Sequence, residues 1–129
     1  MNERFLQEGV RTTRRATDAH RQIGELLFLL GVTPHTEGYA MLRDGARLIA
    51  DGGRFRKLRM TEELYPLLGE SFRKKRSYAE HAMRDAVRIA WQRENADRKA
   101  LYFDDEAPSN AALLYQLAMQ LDLSRRRNG

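Results

Sequence analysis

Apolar positions recur along most of this chain at intervals of three and four residues, while two-residue alternation is scarce, so helices are expected throughout. The stretch Arg11-Thr12-Thr13-Arg14-Arg15 is polar, and amphipathicity begins only near Ile23. Residues 1–12 therefore read as a flexible N-terminal arm, followed by a first helix from about Thr13 to Leu30. Gly31 suits its end, because glycine takes up the left-handed conformation that closes helices. Pro34 suits the first turn of a second helix over about 36–50, with Tyr39, Leu42, Ala46 and Ile49 on one side. Asp51-Gly52-Gly53 breaks it. Thr61 followed by Glu62 and Glu63 marks the start of a third helix, carrying Leu64, Leu67, Leu68 and Phe72. Pro66 is expected to bend that helix or delay its start. Ser77-Tyr78-Ala79-Glu80 has the S-x-x-E form of a capping box and opens a fourth helix over about 77–93. A short fifth helix is expected at 97–103, and a sixth from Pro108-Ser109-Asn110 through Leu121. The pattern predicts an all-α domain of about six helices over residues 13–123, with a basic tail at 124–129.

At 100° per residue the fourth helix separates into two sides. Ala79, Met83, Ala86, Val87 and Ala90 cluster on one, which predicts close packing by small residues. Ser77, His81, Arg84, Arg88 and Gln92 fall together on the other, with Tyr78 and Asp85 at its margin. That stripe offers an imidazole, two guanidiniums and an amide, groups that donate to base edges in a DNA groove. A shorter helix, a tight polar connection and then this helix make a helix-turn-helix at about 61–93. The plain alternative is that a basic exposed stripe is only a solvated face.

Charge shifts the balance between those readings. The chain carries 23 basic and 18 acidic side chains, a net +5. Residues 54–93 hold eleven basic and five acidic side chains, so all of the surplus lies in the middle third. It includes the connection Arg54, Arg56, Lys57 and the run Arg73, Lys74, Lys75, Arg76. Four successive cations at a helix N-terminus repel one another and oppose the helix dipole, which disfavours a purely stabilising role and favours phosphate contact.

Other classes recede. With no cysteine there is no disulfide, thiol nucleophile or cysteine zinc site. The longest apolar run, Leu26 to Leu30, is far short of the ~20 residues that span a bilayer, and Met1-Asn2-Glu3-Arg4 lacks signal-peptide form. These features point to a cytoplasmic chain without membrane contact. His20, His35 and His81 have no acids at ligand spacing, so no metal site is expected, and His35 reads as a capping or packing residue. Tyr65, Trp91, Tyr102, Phe103 and Tyr115 sit among aliphatics at helical spacing and read as core rather than as base-stacking platforms. No glycine-rich phosphate loop or nucleophile–base set is visible, and neither an enzyme nor a cofactor is expected. Arg125-Arg126-Arg127 reads as a disordered solubilising tail or, alternatively, as a clamp on backbone phosphates.

Leu30-Gly31-Val32-Thr33-Pro34-His35-Thr36-Glu37-Gly38-Tyr39, followed by Leu42-Arg43, resembles the opening of the C-terminal effector domain of stage 0 sporulation protein A. The likeness continues in register through Leu64-Tyr65-Pro66, Ala82-Met83-Arg84, Ala86-Val87-Arg88-Ile89-Ala90-Trp91, Asn95 with Asp97, and Pro108-Ser109-Asn110. It covers about residues 20–123. The resemblance implies a six-helix bacterial transcription-factor domain that binds promoter elements in double-stranded DNA and contacts RNA polymerase. It puts the recognition helix at 77–93 and base contacts at Ser77, Tyr78, Glu80, His81 and Arg84. Phosphate contacts are expected from Arg73, Lys74, Lys75, Arg76 and Arg88, together with Arg54, Arg56 and Lys57. The family typically has arginine at the positions of Tyr78 and His81, so an altered or relaxed target sequence is expected. Glu80 has two available jobs, capping the helix or accepting from a cytosine amino group, and capping is the expected one.

Residues 1–19 contain a single aspartate, Asp18, so a stand-alone effector without a receiver domain is expected unless the chain is a fragment. Both a monomer in solution and a tandem dimer on DNA are compatible with this reading. The competing function is a non-catalytic interaction module of the same fold that docks on RNA polymerase or a full-length relative. RNA binding is a third.

Overall fold

The computed structural model describes residues 18–51, 59–93, 103 and 106–128, and its regular elements are all helical. Helix α1, residues 18–29, ends as its glycine foretells. The Gly31 amide donates to the Phe28 carbonyl at 3.0 Å and the Val32 amide to the Leu27 carbonyl at 2.9 Å. Gly31 has φ 90°, and Leu27 and Val32, the apolar pair this closure brings together, are both buried. The start expected near Thr13 and the arm at 1–12 lie outside the described residues.

Helix α2 spans Glu37–Asp51. Its cap is Thr36, whose Oγ1 accepts the Tyr39 amide at 3.2 Å and donates to the Thr33 carbonyl at 2.9 Å. This corrects two expectations. His35 is exposed and caps nothing, and Pro34 lies in the turn before the helix, where its fixed φ suits the Thr33–Thr36 bend.

Pro66 delays the third helix. A wide turn of π type, Met60–Leu64, precedes helix α3, Tyr65–Ser71, and places Pro66 in the first turn of α3. An ordinary α-helix running from Thr61 would press the pyrrolidine ring on the Glu62 carbonyl and lack the Pro66 N–H. The wider turn avoids both, with the Leu64 amide donating to Arg59 and the Tyr65 amide to Met60.

Helix α4 spans Arg76–Trp91 and starts one residue before the expected box. Lys75 holds the cap position with extended backbone, and no side chain caps the helix. Ser77 is thus already inside the helix, so the expected reciprocal capping by Ser77 and Glu80 does not form. Glu80 pairs instead with Arg84 one turn on.

Helix α5 spans Asn110–Asn128. Ser109 caps it, its Oγ accepting the Ala112 amide at 3.1 Å. The helix runs well past Leu121, so residues 124–128 are helical rather than the tail expected there. Arg126 reaches Asp122 at 3.0 Å within the helix, and Arg125 Nη1 donates to Asp51 Oδ1 at 2.7 Å across to α2. Basic side chains in its last turn also suit the negative end of the dipole. Five α-helices stand among the described residues, against about six expected. The helix foreseen at 97–103 falls outside them except for Phe103, as do Asn95, Asp97 and Tyr102.

Helix α2 lies at the centre, packed on α5 along one side and on α4 along another, while α3 packs on α4. The core unites Ile23 and Leu27 of α1, Met41, Leu42 and Ile49 of α2, Leu64 and Leu68 around α3, Met83 and Val87 of α4, and Leu113 to Leu121 of α5. Gly38 permits the α2–α4 approach: a Cβ there would strike the Ala82 carbonyl oxygen and lie 2.6 Å from the Ala86 Cβ. Trp91 is buried and meets Phe103 edge to face at 5.7 Å, and Tyr65 is buried, so these aromatics fill space as expected.

Candidate nucleic-acid interface

Helices α3 and α4 are joined by a turn that repeats the closure of α1, with an arginine in the glycine position. The Arg73 amide donates to the Glu70 carbonyl at 3.1 Å and the Lys74 amide to the Gly69 carbonyl at 2.7 Å. Arg73 has φ 56°, the one non-glycine among the described residues in the left-handed region. Side chains strain the backbone there, at a cost of roughly 1–2 kcal/mol. Arg73, Lys74 and Lys75 are all exposed.

Helix α4 presents both sides that its sequence pattern predicts. Ala79, Met83, Ala86, Val87 and Ala90 are buried. Ser77, His81, Arg84, Arg88 and Gln92 are exposed, and so are Tyr78 and Asp85. The stripe of candidate base-reading groups is thus continuous and faces solvent. Of the remaining candidates, Glu80 is half-buried, and Arg54, Arg56 and Lys57 lie outside the described residues. Arg76 is the first residue of α4. Arg59, just after that basic connection, is tied to Glu62 at 2.6 Å.

The cations differ in how they are held. Arg84 is paired with Glu80, and Arg88 Nη2 lies 3.3 Å from Asp85 Oδ1. On the turn, Lys74 Nζ stands over the Tyr78 ring, 5.0 Å from its centroid. Hydrogen bonding toward Glu37 pushes the Tyr78 phenol pKa up.

The reading helix is held by a buried amide. Asn110 Nδ2 donates to the Tyr65 hydroxyl at 3.3 Å and to the Glu80 carbonyl at 3.1 Å, tying the start of α5 to both α3 and α4. Asn110 is the buried polar residue among the described ones, and sequence reading marked it only as part of a helix start. The Glu80–Arg84 pair had a legible signal, an acid four residues before a base on one helix.

An all-helical domain whose exposed basic turn leads into a helix with a polar, donor-rich face has the form of a helix-turn-helix DNA-binding domain. Residues 23–121 match the family described as sporulation initiation factor Spo0A C terminal. The chain belongs to that family. It is accordingly a DNA-binding effector domain of the transcription-factor type, a family that is not enzymatic. Among the described residues no helix is long and apolar enough to cross a membrane.

Proposed function

We propose that this chain binds double-stranded DNA sequence-specifically and regulates transcription, reading bases from the exposed face of α4. The observation that carries this reading is that face itself: Ser77, His81, Arg84 and Arg88 exposed in one stripe, opposite a wholly packed one. A helix of this kind fits the major groove, where arginine addresses guanine and smaller polar groups address either base. In this reading Arg84 is the principal reader, oriented by Glu80, with Ser77 and His81 beside it. The turn cations Arg73, Lys74 and Lys75 grip phosphates, joined by Arg76, by Arg88 at the edge of the stripe, and by Arg54, Arg56 and Lys57 of the preceding connection. Such a role puts the chain with the nucleoid in the cytoplasm, with RNA polymerase as a second partner.

Binding of Arg84→Ala and Lys74→Ala to selected and random duplexes tests the roles. Arg84→Ala is expected to lose about 1–3 kcal/mol on the selected site and to relax base preference. Lys74→Ala is expected to weaken both duplexes alike and to lower the slope of log K against log salt by about 0.9. Equal losses on both duplexes for both variants would overturn the assignment.

A second reading, docking on RNA polymerase or a longer relative with weak base reading, has one observation in its favour. Phe28 is 70% exposed and Leu29 45% exposed. They border a groove of about 500 Å³ shared with Pro34 and Tyr39. Selection from random duplexes that enriches no motif, with Phe28→Ser abolishing polymerase capture, would favour it.

A further inference from the structure

Tyr78 occupies the leading edge of the reading helix, in its first turn. Lys74, on the turn, stands over one face of its ring at 5.0 Å. The helix that carries the ring is packed through Ala79 and Met83, both buried, so the ring offers a fixed platform to a lysine with a flexible stem. A lysine has considerable rotamer freedom, and confining it before binding reduces the entropy lost when it meets a phosphate.

We propose that Tyr78 is a positioning residue that holds Lys74 for a DNA phosphate, rather than a reader of bases. The ring, held by a packed helix, confines the ammonium. This deepens the DNA-binding reading and rests on it. Two consequences separate it from base contact by Tyr78. Its effect on affinity passes through Lys74, and that effect is the same on every sequence.

A double-mutant cycle on full-length chain measures both. Tyr78→Ala, Lys74→Ala and the double variant are titrated with a selected duplex and a random duplex, with circular dichroism confirming the fold. Tyr78→Ala is expected to weaken both duplexes about two- to fivefold, the range of an exposed cation–π contact. In the Lys74→Ala background the same substitution is expected to have no further effect. Tyr78→Phe, which keeps the ring, is expected to recover most of the loss. Selection from random duplexes is expected to return the same motif for Tyr78→Ala and wild type. Additive losses, or a changed motif with Tyr78→Ala, overturn the positioning role while leaving DNA binding intact. Failure of the wild-type chain to bind any duplex overturns both.

Discussion

Arg73 shows how a single position can serve binding at the expense of stability. The turn closes with the same two backbone hydrogen bonds that Gly31 makes possible after α1, but here a side chain sits at φ 56°. Glycine would relieve that strain and remove one cation beside α4. Arg73→Gly is expected to raise the unfolding free energy by about 1 kcal/mol in urea titration. The same variant is expected to bind every duplex more weakly and to lower the salt slope by about 0.9. A variant that is both more stable and equally tight would remove Arg73 from the phosphate-contacting set. A run of four cations is legible in the sequence, whereas the left-handed backbone beneath one of them is not. Most helix ends that adopt it carry glycine.

The junction of α2 with α4 governs how the reading helix is presented. Gly38 brings the backbones into contact. A methyl group at position 38 meets the Ala82 carbonyl and the Ala86 Cβ, neither of which can rotate away. Gly38→Ala is therefore expected to destabilise the domain by about 1–3 kcal/mol, read as a lowered urea midpoint. Its DNA affinity is expected to fall even where the domain remains folded, because α4 must shift outward. From the other side, Asn110 holds the Glu80 carbonyl, so α4 is held by α5 at Glu80 and by α2 at Ala82 and Ala86. The bounds of α4 itself were nearly legible, off by one residue at its start. Its small-residue stripe announces close packing but does not say which helix packs there.

For the fold as a whole, pH sensitivity should arise at the α1–α2 contact. His20 has its pKa lowered, first by burial and then by Arg43, with Arg47 adding to the effect. Asp44 Oδ1 lies 3.2 Å from His20 Nε2 and acts the other way, but burial and the two arginines outweigh it. Because the folded chain then holds this proton less tightly than the unfolded chain, the unfolded state binds more protons just below pH 6.5. Stability accordingly rises with pH through that window and levels off above it. The thermal midpoint is expected to climb from pH 5.5 to pH 7, and His20→Gln to flatten the climb. An unchanged profile in the variant would assign the effect elsewhere.

The helical class, the end of α1 at Gly31 and the two sides of α4 follow from neighbours three and four residues apart. Interactions of that range are written into the order of the chain, so reading the order recovers them. The proline at 66 belongs to the same group, since its missing N–H and its ring act within one turn. The extended end of α5 places Arg125 against Asp51, 74 residues away. The anchoring of α4 depends on Asn110 meeting Glu80, 30 residues away. Such pairs form only when packing brings remote segments together, and no local periodicity encodes them. The surplus of positive charge and its place in the middle third are properties of the order alone. The pairs of Arg84 with Glu80 and Arg88 with Asp85, like Lys74 on the Tyr78 ring, are local too, whereas the pairing of Arg125 with Asp51 is settled by how α2 and α5 pack.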